Sequence, residues 1–150
     1  MIPTEIVNFV KISPHAQTPT QGSAMAAGYD LHADLESNYI TLHPGEVRKV
    51  STGIAIALPE YTTGLIFARS GLATKKGLAP ANKVGVIDAD YRGPIIVALK
   101  NESDEVQTIE HGERIAQLVV VPFISVKFNE AESIGTTARG EGGFGSTGTK

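Results

Sequence analysis

The sequence predicts an all-β fold, a sandwich or barrel of many short strands with one short helix. Three observations favour this fold. Apolar residues recur with a period of two in several short segments. Glycine, proline, asparagine and aspartate interrupt the chain at short intervals, as in strands joined by tight turns. A helix start and stop signal occurs in one segment only.

The first clear strand lies where Ile54, Ile56 and Leu58 alternate with alanines, and we expect it to end at Pro59. Further short strands are predicted over residues 65–68 and 94–99. A longer strand is predicted from Ile115 to Phe128. Because it is apolar on both faces, we expect it to be central and buried on both sides, with a bend or bulge at Pro122.

The helix is predicted through Leu72 to Lys76. Ser70 is expected to cap its N-terminus, and Gly77 is expected to end it. At 150 residues the chain fits one domain. We expect a core over about residues 1–134 and a flexible C-terminal lid over about residues 135–150, where glycine, serine and threonine dominate.

Composition excludes several classes of function. A net charge of -3 provides no basic surface for nucleic acid or for an anionic membrane. The chain has no cysteine, which excludes disulfides, thiolate metal sites and a cysteine nucleophile. The four histidines lack metal-ligand spacing. The N-terminus does not resemble a signal peptide, so we expect a cytoplasmic protein.

Five short segments place polar side chains where a β protein would not need them. They are Ala27–Leu31, Arg69–Ala73, Gly85–Gly93, Glu113–Leu118 and Arg139–Gly148. The last contains the letters of a dinucleotide-binding glycine pattern, but no βαβ unit surrounds it. Together, and in this order, the five segments closely resemble the motifs of the homotrimeric dUTPase family. Two departures are small: Ala68 replaces the usual proline, and Pro94 replaces an acidic or polar residue.

The resemblance implies a jelly-roll or distorted β-barrel subunit in a homotrimer whose active sites are shared between chains. It also implies hydrolysis of dUTP to dUMP and pyrophosphate, which keeps uracil out of DNA and supplies dUMP for dTMP synthesis. The expected cofactor is Mg²⁺, held mainly by the triphosphate and by water, with Asp30 in its outer shell. Asp88 is the expected general base for water attack on the α-phosphorus. Its apolar neighbours would desolvate it partially. Asp90 is the rival, with a structural alternative in a pair with Arg92.

The resemblance also assigns the substrate contacts. A tight hairpin around Asn82 to Ile87, including Val86, would read uracil through main-chain groups. Tyr91 would lie against the deoxyribose and exclude a 2′-hydroxyl, and Phe144 would stack on the base when the lid closes. The expected ligands of the inner phosphates are Arg69, Ser70 and Gly71, and those of the outer phosphates are Arg139, Ser146 and Thr147. Gln117 would contact the phosphates or the catalytic water, and Gly145 is a further expected substrate-binding residue.

Three alternatives stay open. A dCTP deaminase of the same fold would carry a serine where this chain has Gly71. A dUTP-sensing regulator would use the same site to control a partner protein. A structural jelly-roll trimer would need neither Asp88 nor Arg139.

Overall fold

Within residues 4–144, which a computed structural model describes, the chain forms twelve strands and one helix. The strands of the first half are β1 (Asn8–Lys11), β2 (Thr20–Gln21), β3 (Tyr29–His32), β4 (Tyr39–Leu42), β5 (Val47–Ser51), β6 (Ile54–Ala57) and β7 (Thr62–Phe67). After them come helix α1 (Ser70–Lys76) and strands β8 (Leu78–Pro80), β9 (Gly85–Ile87), β10 (Ile96–Asn101), β11 (Gln107–Glu110) and β12 (Arg114–Pro122). The prediction of an all-β fold with one short helix is therefore confirmed.

Every strand pairing is antiparallel. The largest sheet has the order β2-β3-β12-β7-β9, and a second sheet has the order β5-β10-β8. Two further pairs are β1-β6 and β11-β4. Among residues 4–144 no pairing closes these sheets into a barrel, so the part of the prediction that named a barrel receives no support.

One apolar core joins the sheets. Its fully buried members are Leu31, Leu42, Ile54, Leu78, Ile95, Leu99, Ile109 and Ile115. In β10 buried residues alternate with more exposed ones, as the period of two predicted, whereas β6 buries Ile54, Ala55 and Ile56 in succession. Burying a side chain of this size stabilises the fold by about 1.5–3 kcal/mol, so this core fixes the sheets that carry the polar segments.

The longest strand, β12, is central as predicted, because it pairs with both β3 and β7. Its predicted extension to Phe128 is wrong. β12 ends at Pro122, which lies opposite Thr62, the first residue of β7, so no partner strand continues beyond this point. Ile124 and Phe128 are then 86% and 100% exposed. The irregularity in pairing lies between Arg114 and Ala116, not at Pro122.

Helix α1 begins at Ser70, one residue earlier than it would if Ser70 were the N-cap. The N-cap is Arg69, whose backbone is extended (φ -87, ψ 128) and whose side chain makes no capping hydrogen bond. Ser70 is already helical, so the prediction that it caps the helix is wrong. Gly77 ends the helix in the left-handed region with φ 64, as predicted, and its amide donates to the carbonyl of Ala73 at 3.1 Å.

Candidate active site

The first of two clefts lies between β3, β12 and the start of α1, and we call it the arginine cleft. It has a volume of about 420 Å³. Its lining brings together residues from three of the five segments selected from the sequence, and it contains none from the segment around Asp88 or from the C-terminal segment. The lining residues are Gly22, Ala26, Ala27, Gly28, Asp30, Arg69, Ser70, Gly71, Arg114, Gln117 and Val119.

The electrostatics of the arginine cleft centre on Asp30. Arg69 Nε donates to Asp30 Oδ1 at 2.8 Å, and an Arg114 guanidinium nitrogen donates to Asp30 Oδ2 at 3.2 Å. Two guanidinium groups therefore share one carboxylate, which leaves the cleft one positive charge in excess. The Asp30 side chain is only 14% exposed, whereas Arg114 is 52% exposed. This arrangement suits an anionic ligand, because arginine donors match phosphate oxygens in geometry and charge.

Arg114 is the functional candidate that sequence reasoning did not select. It lies in the segment that supplied Gln117, and it stands opposite His32 in the pairing of β12 with β3. The signal was available, since a cation at the start of a central strand beside a polar glutamine is unusual. Only the pairing of β3 with β12 shows that it reaches Asp30.

Gln117 and the first turn of α1 supply neutral donors. Gln117 lies opposite Asp30 in the sheet, and its Nε2 donates to the carbonyl of Ala68 at 2.9 Å. A Cβ at Gly28 would lie 2.4 Å from Gln117 Oε1, so the glycine makes room for this side chain. Ser70 and Gly71 are exposed in the first helical turn, where backbone amides have no intrahelical acceptor.

His32 lies beside this cluster. It is 8% exposed, and within the described residues its Nδ1 has no hydrogen-bond partner. Burial lowers the pKa of His32 below its ordinary value; Asp30 opposes the shift, while Arg114 and Arg69 add to it. His32 is therefore neutral at pH 7 and adds no cation to the cleft.

The second cleft lies at the other edge of the large sheet, and we call it the tyrosine cleft. It has a volume of about 160 Å³ and is lined by Val86, Ile87, Asp88, Tyr91, Pro94 and Ile96. Asp88 is the single carboxylate in this lining. Its neighbours are apolar, as expected, but Asp88 itself is exposed. The partial desolvation predicted for it is therefore absent within one chain.

The two clefts share no lining residue. Asp30 belongs to β3 and Asp88 follows β9, with β12 and β7 between them. Three interstrand steps of about 4.8 Å separate these two strands by roughly 14 Å. Arg69 follows the far end of β7, whereas Ile87, the residue before Asp88, pairs with Gly64 near its start. About five residues of extended chain, roughly 16 Å, lie between the two positions, well beyond hydrogen-bond reach of about 3 Å.

The segment predicted as a hairpin around Asn82 to Ile87 has a different connection. β8 pairs with β10, whereas β9 pairs with β7, so the two strands lie in different sheets and are not a paired hairpin. A tight turn joins them, in which the amide of Lys83 donates to the carbonyl of Pro80 at 3.0 Å. Lys83 has φ 65 and its Nζ lies 2.7 Å from Glu102 Oε1. Asn82 is exposed at this turn.

Two other expectations concern Arg92 and the C-terminal segment. Arg92 donates to the carbonyls of Ala89 and Tyr91, at 2.6 and 3.0 Å, and within residues 4–144 it makes no ion pair with Asp90. Arg139 donates from Nε to the carbonyl of Gly142 at 2.9 Å, and Phe144 is fully exposed. Neither residue lines either cleft. Gly145, Ser146 and Thr147 lie outside the described residues.

Within residues 4–144 there is no group of three or more histidine or carboxylate side chains that could hold a metal ion. In the same range no helix has both the length and the apolar character needed to cross a membrane.

Comparison with known proteins identifies the family. The dUTPase family model matches residues 14–148. The deoxyuridine 5′-triphosphate nucleotidohydrolase of Desulfitobacterium hafniense is 46% identical over 143 residues, covering 95% of this chain and 94% of that protein. The enzyme of the same name from Thiobacillus denitrificans is 50% identical over 137 residues, covering 90% and 89%.

A solved structure agrees with these sequence matches. The dUTPase of Staphylococcus bacteriophage 80alpha, solved with dUPNHPP, superposes with a TM-score of 0.87 at 30% identity, and the match covers 97% of this chain and 99% of that one. The jelly-roll fold predicted for this chain is the fold of that dUTPase, and the prediction is confirmed. The chain therefore belongs to the dUTPase family.

Proposed function

We propose that this chain hydrolyses dUTP to dUMP and pyrophosphate, by Mg²⁺-assisted attack of water on the α-phosphorus. The observation that carries the proposal is the arginine cleft, where two guanidinium groups, Gln117 and the first turn of α1 converge. A triphosphate is the substrate class that such a set of donors suits. The relatives named as deoxyuridine 5′-triphosphate nucleotidohydrolases support uracil as the base.

Each residue of the site has a separate role in the proposed hydrolysis. Arg69, Ser70 and Gly71 bind the inner phosphates, and Gln117 orients a phosphate or the attacking water. Asp88 accepts the proton of that water as its oxygen bonds to the α-phosphorus. The bond from the α-phosphorus to the bridging oxygen breaks, and pyrophosphate leaves. Arg114 adds charge to the phosphate site and holds Asp30 together with Arg69.

Because Asp88 and Arg69 lie in different clefts of one chain, the proposal requires a second chain. The arginine cleft of one subunit faces the tyrosine cleft of the next, and three such contacts close a homotrimer. Exposed apolar side chains after β12 support contact between subunits: Ile124, Val126 and Phe128 are at least 66% exposed and alternate as in a strand without a partner. The same contact would desolvate Asp88, which one chain leaves exposed.

The donor chemistry of the arginine cleft fits Mg²⁺ that is held mainly by the substrate. Asp30 is the one carboxylate among the lining residues, and both its oxygens already bind arginines. It can therefore accept hydrogen bonds from metal-bound water, but it offers no free set of direct ligands. When bound, Mg²⁺ neutralises phosphate charge.

Selectivity rests on the tyrosine cleft and on the turn before it. Main-chain groups from Asn82 to Ile87 read uracil, and this segment excludes a 5-methyl group. The Tyr91 ring lies against the deoxyribose and sterically excludes the 2′-hydroxyl of a ribonucleotide. Arg139, Ser146 and Thr147 reach the outer phosphates as the C-terminal lid closes, and Phe144 stacks on the base. The cytoplasmic location stays a prediction from the sequence.

Product analysis tests the proposal. The protein is incubated with Mg²⁺ and separately with dUTP, dTTP, dCTP and UTP, in water enriched in ¹⁸O. We expect dUMP and pyrophosphate from dUTP, with ¹⁸O in the dUMP because water attacks the α-phosphorus. Ammonia release from dCTP would instead indicate the deaminase. Label in pyrophosphate, or no turnover of dUTP, would overturn the mechanism or the function respectively.

A further inference from the structure

The turn after β9 holds Tyr91 by contacts within its own chain. The amide of Tyr91 donates to the carbonyl of Asp88 at 3.1 Å, which closes the turn. The Tyr91 hydroxyl donates to the carbonyl of Pro94 at 3.0 Å, three residues later. The ring is 42% exposed and lines the tyrosine cleft beside Pro94. The Tyr91 hydroxyl is therefore already hydrogen-bonded to Pro94, and the ring forms one side of the cleft.

Gly93 makes this position possible. A Cβ at residue 93 would lie 2.4 Å from the Tyr91 hydroxyl oxygen, 2.6 Å from Cζ and 3.0 Å from Cε2. These atoms belong to a rigid ring, so an alanine could be accommodated only if the whole ring moved. Gly93 is not among the glycines with positive φ. The glycine is thus required by the space that the ring occupies and not by its backbone conformation.

Pro94 restricts the backbone that leads to the acceptor. The pyrrolidine ring holds φ of residue 94 at about -65° and also restricts the residue before it. The chain between Tyr91 and the carbonyl that accepts its hydroxyl hydrogen bond therefore has fewer conformations than it would with another residue at position 94.

We propose that Gly93 and Pro94 are positioning residues that set the discrimination between deoxyribose and ribose through Tyr91. Gly93 leaves the space in which the ring lies, and Pro94 supplies the carbonyl that accepts the Tyr91 hydroxyl hydrogen bond, on a backbone whose φ is restricted. The inference rests on the proposed function, in which Tyr91 excludes the 2′-hydroxyl. Neither residue needs to touch the substrate to act.

The test compares kcat/KM for dUTP with kcat/KM for UTP in the assembled protein, with folding checked by circular dichroism. For Gly93→Ala we expect the ratio to fall about tenfold, a part of the roughly 10²-fold by which an apolar wall rejects an added hydroxyl. Tyr91→Phe keeps the ring but loses the anchor, so its ratio should fall by less. If Gly93→Ala does not fold, Tyr91→Phe decides alone.

Pro94→Ala keeps the carbonyl and frees the backbone, so its ratio should also fall, by less than in Gly93→Ala. Pro44→Ala is the matched control, because Pro44 is an exposed turn proline outside both clefts; its ratio should equal that of the wild type. An unchanged ratio in folded Gly93→Ala and in Tyr91→Phe, or an equal loss for both substrates, would overturn the inference. A wild type that does not hydrolyse dUTP would overturn the proposed function instead.

Discussion

Arg69 Nε lies 2.8 Å from Asp30 Oδ1, although 39 positions separate the two residues in the chain. The contact uses the Nε of Arg69, so the terminal nitrogens of this guanidinium group are not needed for it, and Arg69 lines the arginine cleft. Asp30 thus orients a cation that would otherwise move freely. Arg69 supplies the positive charge and Asp30 sets the orientation of that charge, so substitution of Asp30 changes the orientation while Arg69 stays in place.

Asp30→Asn tests that separation. The substitution keeps the size of the side chain but removes the charge that both arginines share. We expect kcat/KM for dUTP to fall about 10²-fold, the cost of misplacing a binding group by about 1 Å. The free energy of unfolding should fall by about 1–2 kcal/mol, discounted for the exposure of Arg114. Steady-state kinetics and urea unfolding measure both, and exposed Asp104→Asn is the control. Unchanged kcat/KM would show that Asp30 does not orient the site.

Asp88→Asn tests the assignment of the base. The variant should fold and bind dUTP as the wild type does, because the Asp88 side chain is exposed and the turn uses only its main-chain carbonyl, which asparagine keeps. Loss of a general base lowers kcat by about 10²–10⁴-fold. Single-turnover kinetics with calorimetric binding of dUPNHPP separate the two effects. Asp90→Asn is the matched control, and a larger loss in that variant would move the base by two residues.

The large sheet shows which features the sequence could predict. The strands and the end of α1 at Gly77 follow from local patterns, since period and turn residues determine them. The extent of β12 does not, because it is limited by Thr62, where the partner strand begins. Arg114 was not predicted for a related reason: its contact with Asp30 spans 84 positions and depends on strand register. The division of the site into two clefts likewise depends on strand order, which no short segment encodes.

His32 makes stability depend on pH. Its pKa is lowered in the folded protein, so between its ordinary value and the folded value the unfolded chain binds more protons than the folded one. Stability is therefore fully present above pH 6.5 and falls as the pH drops toward the folded pKa. We expect His32→Gln to lose less stability between pH 7.5 and 5.5 than the wild type. Thermal unfolding across this range is the measurement. Exposed His43→Gln should keep the wild-type slope, and an equal slope for His32→Gln would contradict the prediction.

The C-terminal lid can be tested by truncation after Thr137. The core should stay folded, because β12 and the buried core residues all precede this point. We expect turnover to fall about 10³-fold, the lower end of what a charge-stabilising arginine contributes to phosphoryl transfer, and Phe144→Ala should reproduce part of the loss. Ile134→Ala, an exposed apolar residue before the lid, is the control. dUPNHPP should also protect the lid from limited proteolysis. Full activity of the truncated protein would exclude this role.

The claim that one active site combines two chains is tested most directly by mixing two inactive variants. Arg69→Gln disables the arginine cleft and Asp88→Asn disables the base, so each variant alone should be inactive. After co-expression in equal amounts, random assembly pairs an intact arginine cleft with an intact Asp88 at about a quarter of the sites. We expect the mixed protein to recover up to about a quarter of wild-type dUTP hydrolysis. Mixed oligomers that form but stay inactive would contradict it, because that result places Arg69 and Asp88 of the same chain in one site.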